Sequence, residues 1–134
     1  MLIVLIGKKG VGKLSIMHKL MEEYRYRPFI NQGDDEIKTG KYVGVMNPDM
    51  AQHTISNRNR DNIIVAYVSV SENIRKKRTI REAPELKSIW ESSTEIENKS
   101  FSREFVANMI DIAVYNDGKL QDTVSTLLYK VSRY

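Results

Sequence analysis

The most constraining feature of the chain is a five-residue apolar run at positions 2–6 that leads directly into a loop rich in glycine and lysine. The loop consists of Gly7, Lys8, Lys9, Gly10, Val11, Gly12 and Lys13. An apolar run followed by Gly-x-x-x-x-Gly-Lys predicts a buried strand, a phosphate-binding loop and a helix that begins near Lys13. Inward-facing loop N–H groups and the helix dipole would hold phosphate oxygens, and Lys13 would reach the β- and γ-phosphates. The alternative interpretation is a glycine-rich turn without a ligand.

The position after the loop lysine decides how a metal ion is held. The full form of this loop has Ser or Thr there, and its hydroxyl binds Mg²⁺. Leu14 occupies the position in this chain, and Ser15 follows it. Mg²⁺ would then be held through Ser15, through water, or by Asp49 at the end of the third predicted strand. Asp34 and Asp35 are weaker candidates for the same role.

The length, composition and net charge of the chain exclude several classes of protein. The 134 residues suit one domain with a real core, and the lack of cysteine excludes disulfides and cysteine–zinc sites. The apolar runs have the length of strands, and no basic region precedes a long apolar one, so we expect a cytoplasmic protein without membrane span or signal peptide. A net charge of +4 suits an anionic ligand, and without aromatic–basic interleaving it does not indicate nucleic acid.

Apolar runs alternate with helical patterns along the whole chain. The predicted strands are residues 2–6, 27–31, 42–47, 63–70 and 110–115. This alternation predicts an α/β fold with a five-stranded parallel sheet flanked by helices, in which ligands bind at the carboxyl ends of the strands. The continuous apolar character of residues 63–70 predicts a central strand. Residues 31–41 are predicted to form a polar loop on the ligand face, and residues 91–100 a polar, mobile segment.

Three stretches, in this order, resemble the guanylate kinase-like members of the nucleoside monophosphate kinases. They are the loop, the strand and arginine-rich helix of residues 63–81, and the strand, Asn-Asp turn and helix of residues 110–124; residues 47–51 also resemble the segment after the family's third strand. The resemblance covers most of the chain and implies a single P-loop domain with three layers over residues 1–134. It also implies a short acceptor-binding segment near 32–41 and a mobile, lid-like segment near 82–104.

The chain departs from that family at the acceptor segment and in the loop. The family inserts a substantial monophosphate-binding segment with a Thr/Arg/Pro-containing motif between its second and third strands, whereas only residues 32–41 occupy that place here and the motif is missing. Lys9 replaces the small hydroxyl residue usual in the loop, and Leu14 replaces the metal-binding Ser or Thr. The resemblance therefore implies a retained site for the phosphate-donor nucleotide and a reduced acceptor site.

If the protein is a kinase, the resemblance assigns roles to several further residues. Lys13 would hold the phosphates of ATP, while Arg78, Arg81 and Arg103 would stabilise charge on the transferring phosphoryl group. The alternative for these arginines is a solvated basic helix face. Asn116 and Asp117 would shape a turn whose backbone faces the adenine base, or they form a plain turn.

Three functions follow as hypotheses. The first is ATP- and Mg²⁺-dependent phosphoryl transfer to a nucleoside or deoxynucleoside monophosphate. The second is a nucleotide-binding module with little or no catalysis that acts through a protein partner. The third is a kinase of some other small acceptor, which the shortened acceptor segment favours. The partners expected for the first are a nucleotide and a small monophosphate, and neither nucleic acid nor a membrane; the sequence does not indicate an oligomeric state.

Overall fold

Five parallel strands form one sheet with helices on both faces, in a computed structural model that describes residues 1–134. The strands are β1 (Leu2–Ile6), β2 (Arg27–Pro28), β3 (Tyr42–Val45), β4 (Ile63–Ser69) and β5 (Ile112–Tyr115). Their order across the sheet is β2-β3-β1-β4-β5, and every neighbouring pair is parallel. The predicted fold is confirmed, and β4 lies inside the sheet.

The chain has seven α-helices, of which six lie between strands and the last follows β5. They are α1 (Lys13–Tyr24), α2 (Asp34–Thr39), α3 (Pro48–Ser56), α4 (Glu72–Glu82), α5 (Trp90–Phe101), α6 (Glu104–Met109) and α7 (Leu120–Arg133). Two 3-10 helices, Arg60–Asn62 and Pro84–Ile89, precede β4 and α5. None of these helices combines the length and the apolar character needed to cross a bilayer.

The central strand β1 is buried on both faces, which explains its unbroken apolar sequence. On one face, Ile3 and Leu5 belong to a core that α1 and α7 complete. On the other face, Leu2, Val4 and Ile6 belong to a core completed by α2, α3 and α6. Because both faces are covered, β1 is held rigidly and delivers the glycine-rich loop to the carboxyl edge of the sheet.

The acidic part of the predicted polar loop at 31–41 is instead a helix. Asp34, Asp35 and Glu36 form the first turn of α2, where their charges complement the positive end of the helix dipole. Ile37 is fully buried and anchors this short helix to the core. The prediction of a loop is therefore wrong for residues 34–39, because the sequence pattern was too short to show a helical period.

The second strand is shorter than predicted, with pairing that ends soon after Pro28. Phe29 still donates its N–H to the Val43 carbonyl. The N–H groups of Ile30 and Asn31, however, donate to the Gln32 side-chain oxygen. A side chain thus replaces the neighbouring strand as acceptor, and residues 30–31 leave the sheet.

Residues 91–100, predicted to be polar and mobile, lie within helix α5. Trp90 is the one buried residue of this helix, and Ile96 is largely exposed. Phe101 at the other end packs near Tyr67, with ring centroids 6.0 Å apart. The helix therefore lies over the carboxyl edge of the sheet with most of its surface in solvent.

Candidate functional site

The loop between β1 and α1 has the backbone shape of an anion cradle. Gly10 and Gly12 adopt positive φ angles of 85° and 91°, which side chains other than hydrogen disfavour. At Gly7 a Cβ atom would lie 2.5 Å from the Val68 carbonyl oxygen, so only glycine allows β1 to approach β4 this closely. The three glycines are thus required by turn geometry and close packing together.

The loop N–H groups are available to a ligand. Those of Lys8, Gly10, Val11 and Gly12 donate no hydrogen bond within the protein. The N–H of Lys9 donates to Glu97 Oε2 on α5, at 2.7 Å. Backbone N–H groups gathered in this way at the start of a helix bind phosphate or carboxylate oxygens. In this structure a carboxylate of the protein itself holds one of them.

Lys13 lies across the loop and donates from Nζ to the Gly7 carbonyl. Burial lowers the pKa of its ammonium group, while the negative charge of Glu97 raises it in part. A phosphate in the cradle would supply the negative charge that this partly buried ammonium lacks. The side chain is therefore placed for the predicted contact with nucleotide phosphates.

Arg78 and Asn116 brace the loop from behind. Arg78 donates to the Asn116 carbonyl at 3.0 Å and to the Val11 carbonyl at 3.4 Å. The buried Asn116 side chain donates to the same Val11 oxygen at 2.9 Å and accepts from the Thr123 hydroxyl at 2.7 Å. Asp117 accepts the Ser71 N–H at the start of α4. These predicted ligand-binding residues hold the loop and its neighbouring turn in place.

Arg75 is a central residue of the site that the sequence did not single out. Its side chain is only 1% exposed and donates to Lys9 O, Glu97 Oε1 and Glu72 Oε2 at 3.2, 3.0 and 2.8 Å. It also donates to the Thr94 hydroxyl and stacks on Trp90, with 4.6 Å from Cζ to the ring centroid. In sequence it is one of several cations on a basic helix, so only its burial distinguishes it.

A cavity of about 1030 Å³ opens in front of the loop. Its polar lining includes Lys9, Lys13 and Arg81 as well as Glu82 and Glu97, and the exposed Arg81 side chain makes no hydrogen bond or ion pair. Another part of its lining is a mainly apolar wall from the end of β3, the start of α3 and α5. That wall includes Val45, Met46, Pro48, Met50, Ile96 and Phe101. A polyanion and an apolar or planar group therefore fit side by side. The Lys8 and Val11 side chains do not line the cavity.

Asp49 and Arg103 bind each other outside the lining of the cavity. Arg103 Nη1 and Nη2 lie 3.0 and 3.2 Å from the two Asp49 carboxylate oxygens. Hydrogen bonding to Arg103 holds the pKa of the Asp49 carboxyl below its usual value. Neither residue lines the cavity. Their predicted roles in metal binding and transfer would require the pair to separate, and they stay predictions.

The chain itself offers few ligands for Mg²⁺. Ser15 is exposed and lines the cavity, whereas the adjacent Leu14, with 60% exposure, has no oxygen to offer. No group of three or more His, Asp or Glu side chains is close enough together to hold a metal ion. Mg²⁺ in kinase sites is held mostly by phosphates and water with one or two protein oxygens, and the Ser15 hydroxyl fits that use.

A smaller cavity of about 550 Å³ lies between α4, the 3-10 helix at Pro84–Ile89 and α5. Trp90 is its one apolar lining residue, and the others include Lys76, Lys87, Glu91 and Glu95. It contains neither loop N–H groups nor an apolar wall, so we place the site in the larger cavity.

No protein-family model matches this sequence, and no curated protein is significantly similar to it. Solved structures that share its fold include three kinases. A gluconokinase from Sinorhizobium meliloti superposes with a TM-score of 0.68 at 14% identity, over 98% of this chain and 91% of that one. A shikimate kinase from Acinetobacter baumannii, in complex with shikimate, has a TM-score of 0.64 at 15% identity, over 98% and 93%.

The third structure, a deoxyadenosine kinase from M. mycoides with the products dCMP and dCDP bound, has a TM-score of 0.61 at 14% identity and full coverage of both chains. At these identities the likeness concerns the fold alone. None of the three is a guanylate kinase, so the finer resemblance stays a proposal. The chain has the three-layer α/β fold found in these P-loop kinases.

Proposed function

We propose that the protein is an ATP-dependent kinase of a small acceptor. The observation that carries the proposal is the set of loop N–H groups without partners beside Lys13, in a cavity that also has an apolar wall. The loop would hold the β- and γ-phosphates of ATP. The acceptor would lie against the wall formed by β3, α3 and α5.

Phosphoryl transfer in such a site depends on position and charge more than on a base. An acceptor oxygen bonds to the γ-phosphorus as the bond to the β-phosphate oxygen breaks, and ADP leaves. Lys13 and the loop N–H groups would hold the leaving phosphates, while Arg81, which has no partner in the protein, would neutralise charge on the phosphoryl group. Bound Mg²⁺ would supply further neutralisation, with Ser15 as the protein ligand.

For the acceptor we propose a nucleoside or deoxynucleoside monophosphate. The apolar wall can take a base, and Arg81 can meet a phosphate that attacks next to the γ-phosphate. A neutral alcohol is the second candidate, because the other two predicted arginines are already engaged: Arg103 binds Asp49, and Arg78 donates to backbone carbonyls. A kinase of either class would work in the cytoplasm, where ATP is supplied.

A nucleotide-binding module without turnover is the alternative function. Two observations favour it: Leu14 stands at the metal-ligand position, and Glu97 holds a loop N–H group. The test is to incubate the protein with ATP, Mg²⁺ and a panel of nucleoside monophosphates, deoxynucleoside monophosphates and small alcohols, and to follow ADP formation. We expect acceptor-dependent ADP from the natural protein and none from Lys13→Ala. ATP binding without ADP from any acceptor would support the binding module instead.

A further inference from the structure

Glu97 contacts both the phosphate-binding loop and Arg75, the buried arginine next to that loop. Its Oε2 accepts the Lys9 N–H at 2.7 Å, and its Oε1 accepts Arg75 Nη1 at 3.0 Å. Arg75 in turn donates to the Lys9 carbonyl. A single carboxylate thus uses a loop N–H group and a buried guanidinium, which are two groups of the kind that bind a phosphate.

A phosphate and this carboxylate cannot share the position. A phosphate oxygen bound to the Lys9 N–H would lie about 2.8 Å from the nitrogen, in the space that Glu97 Oε2 fills. The negative charges of a phosphate and of the Glu97 carboxylate would also repel each other at such close range. Full engagement of the loop by a nucleotide therefore requires Glu97 to leave.

Helix α5 is attached in a way that permits such a movement. Of its residues only Trp90 is buried, and the middle of the helix is held by the contacts of Glu97 and Thr94 with Arg75. Segments with few buried side chains open at lower free energy than a domain core does. The strands and the helices α1 and α7 would keep their packing while α5 shifts.

We propose that Glu97 holds the place of a nucleotide phosphate when the site is empty, and that nucleotide binding replaces it and displaces α5. The proposal rests on the proposed function only through the nucleotide site, and not on transfer. On displacement, Arg75 loses its Glu97 partner. It then meets the phosphate instead, which makes Arg75 a phosphate-binding residue and Glu97 an internal competitor of ATP.

Trp90 reports this exchange directly, since it is the only tryptophan of the chain and stacks on Arg75. The experiment measures ATP and tripolyphosphate affinity by calorimetry, and Trp90 emission with and without ATP. The variants are Glu97→Ala and Glu97→Gln. The control is Glu95→Ala, because Glu95 lies on the same helix, carries the same charge and forms its one ion pair with Lys99, at 3.7 Å.

If the empty protein is about 90% closed, removal of Glu97 should tighten ATP binding about tenfold. We expect that gain for Glu97→Ala, a gain of about threefold for Glu97→Gln, whose amide carries no charge, and no change for Glu95→Ala. Saturating ATP should shift Trp90 emission in the natural protein. Glu97→Ala without nucleotide should already emit like the ATP complex.

The outcomes separate this proposal from the proposed function. If the natural protein binds ATP without any change in Trp90 emission, or if a folded Glu97 variant binds no tighter than Glu95→Ala, Glu97 is not a competitor, whether or not transfer occurs. If the expected changes occur but no acceptor is phosphorylated, the replacement of Glu97 by nucleotide is supported and the proposed kinase activity is overturned. Absence of ATP binding in all variants overturns both proposals. Thermal unfolding identifies any variant that fails to fold. If Glu97→Ala does not fold, the ATP affinity of Glu97→Gln, which keeps the side-chain size, tests the proposal instead.

Discussion

The two edges of the sheet carry the same ion-pair chemistry with different surroundings. At the amino edge, Arg60 Nη2 lies 2.8 and 2.7 Å from the Asp111 carboxylate oxygens, and Asp111 also accepts the Val65 N–H at 2.7 Å. At the carboxyl edge, Arg75 binds Glu97 while Glu97 accepts the Lys9 N–H. Both carboxylates thus accept from an arginine and from a backbone N–H group.

The two backbone N–H groups belong to different parts of the fold. Val65 lies inside β4, and Asp111 immediately precedes β5. Because the Asp111 carboxylate accepts the Val65 N–H, this contact holds the two neighbouring strands in register. Lys9 lies in a loop whose neighbouring N–H groups have no partners, and Glu97 lies on an exposed helix. An ion pair that completes a sheet stabilises the fold, whereas one that fills a cradle, as we propose for Glu97, competes with a ligand.

The largest effect is expected at the carboxyl edge from Lys13→Ala. The substitution removes the ammonium that we expect to meet two phosphates, which should cost about 3 kcal/mol of binding, or roughly 100-fold in ATP affinity. Stability should change little, because Lys13 is not part of the core. Calorimetry measures the affinity, with Lys19→Ala as the control, since Lys19 lies on the same helix and pairs with Glu23 instead. Equal ATP affinity in both variants would remove the nucleotide from this loop.

At the amino edge, we expect Asp111→Asn to lower stability and to leave ATP affinity unchanged. The Asp111 side chain is 9% exposed, and its loss of charge leaves Arg60 without a counterion. We expect the free energy of unfolding to fall by about 2 kcal/mol, below the range for a fully buried pair because Arg60 is partly exposed. Urea unfolding measures this change, while ATP affinity should stay constant. A stable variant with weakened ATP binding would break the comparison between the edges.

An intermediate effect is expected from Arg81→Ala. Arg81 has no partner in the protein and faces the cavity, so its removal should affect the transition state more than the fold. We expect a roughly tenfold loss of kcat, about 1.4 kcal/mol, with an unchanged unfolding temperature. Lys77→Ala on the same helix serves as the control, because Lys77 is exposed and does not line the cavity. Equal rates for the two variants would make Arg81 part of a solvated helix face.

The smallest effect is expected from Leu14→Ser, which restores a hydroxyl at the metal-ligand position. Leu14 is 60% exposed, so the substitution leaves no cavity in the core. We expect a few-fold rise in Mg²⁺-dependent turnover, because Mg²⁺ takes most of its ligands from phosphate and water. Leu14→Ala separates the hydroxyl from the loss of bulk. If Leu14→Ala and Leu14→Ser accelerate turnover equally, the hydroxyl is not a metal ligand.

The sequence by itself determined the sheet and the loop. The apolar runs at 2–6 and 63–70 could be buried only as strands covered on both sides, and Gly10 and Gly12 match turn geometry with positive φ angles that is local to the loop. The cavity at the carboxyl edge followed from the parallel order of the strands. Each of these properties depends on neighbours in sequence or on a strand period, so a single chain shows them.

The tertiary structure alone decided which charged side chains are free to meet a ligand. Arg75, Arg78, Arg81 and Arg103 are all exposed basic residues as far as sequence shows, yet Arg75 is buried under α5, Arg78 braces the loop, Arg103 is held by Asp49 and Arg81 has no partner. Glu97 lies 88 residues from the N–H group it accepts, and no local pattern connects them. The cost of removing a charge from water depends on partners that folding brings together, and sequence spacing does not record those partners.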